Sequence, residues 1–167
     1  MKRQVSIGKK LMLILTAFIV VASVSVIYLG LKHQKEYMYV STYQKHTETS
    51  NLLGSLIACG LKWHKEKAVK SAYEHLITSE EGSVAAIATF DSFGRKETYE
   101  ESFTVENLID LDVVFDKQRE KLMSSNETYS VIQGNYFITL TPVFMRQSGE
   151  RVGYLLISWS LASLQGV

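Results

Sequence analysis

Residues 128–159 read TYSVIQGNYFITLTPVFMRQSGERVGYLLISW, and their periodicity decides the fold. Thr128 to Gln133 alternates, Gly134-Asn135 is a two-residue hairpin signal, and Tyr136 to Leu140 alternates back. A second turn spans Gln147-Ser148-Gly149-Glu150, and Val152 to Trp159 carries the strongest strand pattern in the chain. Strands joined by such tight turns pair antiparallel, because a parallel partner needs a long crossover.

Working toward the N-terminus, residues 105–123 are mixed, and Leu108, Ile109, Val113 and Phe115 suit a helix lying across a sheet. Val84 to Phe90 is a short apolar run of strand length, followed by the turn Asp91-Ser92-Phe93-Gly94-Arg95, where Gly94 is free to take positive φ. Lys96 to Phe103 returns as a more exposed strand. Residues 64–78 place Ala68, Val69, Ala72, Tyr73, Leu76 and Ile77 in a stripe opposite Lys65, Lys67, Lys70 and Glu74, which predicts an amphipathic helix. No proline precedes Pro142, so residues 32–60 are expected to form one uninterrupted helix that Gly60 relaxes or ends. The sum is an α+β fold: a five-stranded antiparallel sheet flanked by helices, with the helices expected mainly on one face.

Residues 11–31, LMLILTAFIVVASVSVIYLGL, carry no charge. At 1.5 Å per residue they reach roughly 31 Å, about one hydrocarbon thickness. Lys2, Arg3, Lys9 and Lys10 precede this stretch without an acidic residue among them, which sets the N-terminus in the cytoplasm. A cleaved signal peptide is the alternative, with Val21-Ala22-Ser23-Val24-Ser25 as its processing site. Apolar character resumes through Val26 to Leu29 before Lys32, which favours an uncleaved anchor. The expected layout is a cytoplasmic tip over 1–10, a transmembrane helix over 11–31, an extracytoplasmic stalk over 32–60 and a sensor domain over 61–165.

Net charge is +1 from 18 Lys and Arg against 17 Asp and Glu, and four of those cations sit in the tip. The remainder is mildly acidic, so nothing points to nucleic acid. A lone cysteine, Cys59, cannot form an intramolecular disulfide and is expected to be a buried, inert thiol.

The order of these motifs resembles the extracytoplasmic PAS/Cache-like sensors, and among them the eighth subtype of the CHASE-type periplasmic input domain. Leu52 to Lys62 match the end of the stalk and Lys65 to Leu76 the charged helix. Ala86 to Gly94 match the first hairpin, and Thr141-Pro142-Val143, Gly149 and Val152-Gly153-Tyr154-Leu155 the closing strands. The similarity runs over about residues 9–165. It implies a sensory module of the kind found before diguanylate cyclases and histidine kinases, acting as a homodimer through its transmembrane and stalk helices. Such receptors continue into a second span and an output domain, whereas this sequence stops at Val167, so it reads as a fragment, a truncated gene product or a freestanding anchored sensor.

Catalytic strings of the serine-hydrolase, zinc-protease, P-loop and dinucleotide-binding kinds are missing from the sequence, so no enzyme is expected within it. His33, His46, His64 and His75 lack metal-pair spacing and read as solvated or capping residues. Glu80-Glu81, Glu97/Glu100/Glu101 and Asp110/Asp112/Asp116 read as solvated faces. No cofactor is implied. If a ligand pocket exists, Trp63, Tyr99, Tyr136 and Trp159 are its candidate lining, with Arg95 as a partner for an anion; core and rim positions are the competing reading for these aromatics.

The leading function is therefore an extracytoplasmic sensory input module on the bacterial inner membrane. It would bind an unknown small molecule or periplasmic protein and relay occupancy through the stalk. The alternative is a membrane-anchored binding or accessory protein without an output domain of its own.

Overall fold

The computed structural model describes residues 7–78, 84–102 and 109–161. Lys2, Arg3, Glu80, Glu81, Phe103, Leu108 and residues 164–167 lie outside that set. The elements, in order, are α1 (Ile7–Lys62), α2 (Glu66–Thr78), β1 (Val84–Asp91), β2 (Lys96–Glu101), α3 (Leu111–Ser124), β3 (Tyr129–Gln133), β4 (Tyr136–Phe144) and β5 (Arg151–Ser160). The chain divides into two compact units, Met1–Gln44 and Lys45–Val167.

In the first unit, α1 carries an apolar stretch, Gly8–Gly30, whose length and composition suffice to cross a membrane. Its large side chains from Leu11 to Leu29 are all exposed, which in water would be a severe penalty and in lipid is none. Three of its hydroxyls are satisfied within the helix. Thr16, Ser23 and Ser25 each donate to the carbonyl four residues back, at 2.8 Å.

In the second unit the strand order is β2-β1-β5-β4-β3, antiparallel throughout. Register sorts the side chains by face. Ile87, Ile157 and Thr139 are aligned across β1, β5 and β4. The end of α1, through Leu53, Ile57, Ala58 and Leu61, packs on the face that carries Ile87 and Ile157, together with Val69 and Tyr73 of α2. The next row, Ala88, Leu156 and Leu140, faces the other way and meets Leu111, Val114, Phe115 and Leu122 of α3. With both faces covered, β1 and β5 read as near-continuous apolar runs, while the edge strands β2 and β3 stay polar or half-exposed.

The α+β antiparallel architecture is as the sequence predicts, but three local expectations need correction. The helices do not share one face: α3 bridges between β2 and β3, which are opposite edges of the sheet, and crosses the face that α1 and α2 leave open. Gly60 does not end α1, which runs to Lys62; a Cβ there would stand 2.7 Å from Val69 Cγ2, so the glycine lets α2 pack closely. The break comes at His64, whose φ of 48° turns the chain before α2 opens at Glu66. Cys59 is exposed rather than buried. Leu53, Ile57 and Leu61 occupy the sheet-facing side of α1, and Cys59 points away from it.

Candidate functional site

Where α1 meets the sheet, its first buried residues are polar. His46 is 8% exposed and Ser50 fully buried, two turns and one turn before Leu53 respectively. The His46 ring stacks on Trp159 with centroids 4.0 Å apart and 18° between planes, and tilts against Phe137 at 5.9 Å. Ser50 Oγ lies 2.7 Å from Thr139 Oγ1, which also accepts from Trp159 Nε1 at 3.1 Å and donates to the Ile157 carbonyl at 3.4 Å. With two donors arriving and one proton leaving, the Thr139 hydroxyl is fully used. Burial, and then the charge of Lys45, push the His46 pKa down to about 4. A neutral imidazole, two hydroxyls and an indole thus seat α1 on β4 and β5.

This seat corrects the reading of His46 as a solvated residue. The missed signal is spacing: positions 46, 50, 53 and 57 follow one helical face, and counting only apolar residues hid its polar half.

The five residues singled out in the sequence do not converge. Trp63 follows the last turn of α1 and is 62% exposed. Arg95 sits in the β1–β2 turn, its Nε 2.7 Å from Asp91 Oδ2. Tyr99, on β2, donates to Glu101 Oε2 at 3.0 Å, and burial followed by that carboxylate pushes its pKa up to about 12. Tyr136 is buried in the α3-side cluster and Trp159 in the α1-side cluster, on opposite faces of the sheet. Tyr99 and Tyr136 share a face but stand at different rows, three strands apart.

Among the described residues, two clefts have the volume of a small-molecule site. One, of about 510 Å³, is lined by Asn51, Gly54 and Ser55 of α1, residues 126–128, and residues 141–144 of β4. The other, of about 410 Å³, lies between α2 and β2 around Tyr73, Ile77 and Glu101. Its upper wall is closed by Lys70, which bridges Glu66 at 3.0 Å and Glu100 at 2.9 Å. Below, Tyr73 donates to Thr98 Oγ1 at 2.9 Å. Among the described residues no group of His, Cys, Asp and Glu is arranged to hold a metal ion.

No protein-family model matches the chain, and no curated protein matches it. Solved structures that resemble it include the sensory domain of the Campylobacter jejuni chemoreceptor Tlp3 with isoleucine bound, and the ligand-binding domain of the same chemoreceptor in complex with L-valine. Each is 13% identical, with a TM-score of 0.38 over 78% of this chain. The chain spans 64% of the length of each.

Proposed function

We propose that the chain is the extracytoplasmic sensory input module of a bacterial transmembrane signalling receptor. Residues 11–31 anchor it in the inner membrane with residues 1–10 in the cytoplasm, and residues 32–60 form the stalk of the sensor domain over 61–165. The observation that carries this reading is the composition of α1. One helix bears both an apolar stretch of membrane-crossing length and, from His46 to Leu61, the residues buried against the sheet. A ligand that favours one packing of α1 on the sheet therefore acts on the same element that would enter the bilayer. The polar seat suits such a role, because hydrogen bonds at its edge exchange for water at lower cost than apolar interdigitation.

The partner is a second copy, held through the transmembrane and stalk helices. Leu52, Leu56 and Trp63 are exposed large apolar residues, and with Cys59 they recur at intervals of four, three and four, the spacing of a two-helix seam. The test has two arms in intact cells. A phosphatase reporter fused after Ser160 is expected to be active outside the inner membrane, and cytoplasmic activity would reject the topology. Single cysteines introduced over residues 33–50 are expected to crosslink with helical periodicity; uniform or absent crosslinking would reject the stalk dimer.

A further inference from the structure

We propose that the cleft between α1, residues 126–128 and the end of β4 binds a small organic ammonium ion, a mono- or diamine. The proposal rests on the sensory reading for its consequence, since it supplies that reading with a site and a ligand class, but its own test is one of binding. The volume, about 510 Å³, lies within the usual range for small-molecule sites.

Hydrogen-bonding capacity and charge decide the class. Glu127 is the one charged residue in the lining, and among the described residues no cation pairs with its carboxylate. Arg151 stands behind Asn126, but its guanidinium is engaged by the carbonyls of Met123 and Ser125 and by Asn126 Oδ1, at the C-terminal end of α3. Acceptors are plentiful. Ser55, in the cleft lining, gives its hydroxyl proton to the Leu52 carbonyl at 2.7 Å, which leaves the oxygen free to act as an acceptor. β4 pairs with β5 as far as Phe144 but with β3 only as far as Leu140, so residues 141–144 have no strand on the cleft side. Pro142 is tolerated inside a sheet when its nitrogen faces an unpaired side, and there it offers a carbonyl and no N–H.

The two asparagines complete the site. Asn51 Oδ1 accepts from Thr128 Oγ1 at 2.5 Å and Asn126 Oδ1 from Arg151 at 2.8 Å, which turns both amide N–H₂ groups toward other partners. An ammonium donates three hydrogen bonds and accepts none, matching the carboxylate, hydroxyl and carbonyl, while the amides serve a hydroxyl or carbonyl elsewhere on the ligand. An anion would meet an uncompensated carboxylate. Bound there, the amine would tie Asn51 and Ser55 of α1 to Glu127 and β4, biasing the helix that carries the apolar stretch.

The test is calorimetric titration of the full chain in detergent micelles with 1,4-diaminobutane, 1,4-butanediol and succinate. Saturable binding of the diamine alone is expected. Glu127→Gln should weaken it about tenfold or more, the range of a charge-assisted hydrogen bond, while Glu120→Gln on exposed α3 leaves it unchanged. No saturable heat at millimolar diamine, equal binding of the diol or succinate, or an unaffected Glu127→Gln variant would each overturn the proposal. The topology and crosslinking tests of the sensory reading stand or fall independently of these heats.

Discussion

His46 and Asp91 are both buried and titratable, and they respond to acid over different ranges. The neutral His46 ring is favoured in the folded chain, with its pKa near 4, whereas the unfolded chain takes a proton near 6.5. Its contribution is therefore complete above pH 6.5 and declines as pH falls toward 4, by roughly 3 kcal/mol. Stacking of the protonated ring on the Trp159 face recovers part of the loss. His46→Phe keeps the stack and removes the proton site, so chemical denaturation of the variant should lose less stability than the parent chain between pH 7 and 4. An equal loss in both would remove His46 as the cause. Asp91 also loses its contribution on acidification, but over a lower pH range. Burial raises its pKa, but the N–H groups of Arg95 and Phe93, with the Arg95 guanidinium, outweigh burial and hold the carboxyl below its usual range. Its contribution is present above the ordinary carboxylate pKa and is lost as pH drops through the lower folded value. Asp91→Ala leaves two turn N–H groups without their acceptor and should cost about 1–3 kcal/mol at neutral pH, read from the denaturation midpoint.

At the scale of elements, the sheet shows which patterns a sequence discloses. The turns at 91–95, 134–135 and 147–150 are visible because positive φ demands glycine, and Gly94, Gly134 and Gly149 all adopt it. The strands are visible because each is bounded by those turns. The face that α3 covers is not visible, since the chain's crossing from edge to edge depends on a strand order that no local pattern encodes. The buried side of α1 was half legible: Leu53 and Ile57 announce it, whereas His46 and Ser50 look like surface residues until Trp159 and Thr139 arrive from a hundred residues away. The candidate site residues are aromatics suited to lining a sheet face, with one arginine beside a turn, and only three-dimensional register reveals that Tyr136 and Trp159 face opposite ways. Two elements also depend on one residue each. Gly153 of β5 faces Val143 and Asp91, and a Cβ there would run into the Phe90 carbonyl oxygen, which the sheet holds in place. Gly153→Ala should cost about 2 kcal/mol or more and lower hydrogen-exchange protection in β1 and β5 together. Arg151 ties β5 to the end of α3; Arg151→Met, which keeps much of the stem, should selectively loosen residues 121–126 in the same measurement.

For the whole molecule, the decisive question is what covers the outward side of α1. Leu52 is 68% exposed, Leu56 69% and Trp63 62%, each beside a helix whose other side is sealed against the sheet. Single exposed apolar residues are ordinary, but a row at heptad spacing is what the proposed helix pair would use as its seam. Membrane anchoring would confine two copies to one plane with parallel stalks, which raises their effective concentration and makes a short seam sufficient. Cys59 occupies an interior position of that row and is exposed. In a parallel pair the two Cys59 residues would face each other within the Cα separation a disulfide accepts, roughly 4.4–6.8 Å. Mild oxidation of native membranes should therefore give a covalent dimer through Cys59. Cys59→Ser should abolish it, and Leu56→Lys should reduce it several-fold by placing two cations against each other in the seam. A dimer that forms equally well with lysine at position 56, or that forms through a cysteine placed at Asn51 but not through Cys59, would show that the copies meet on another surface.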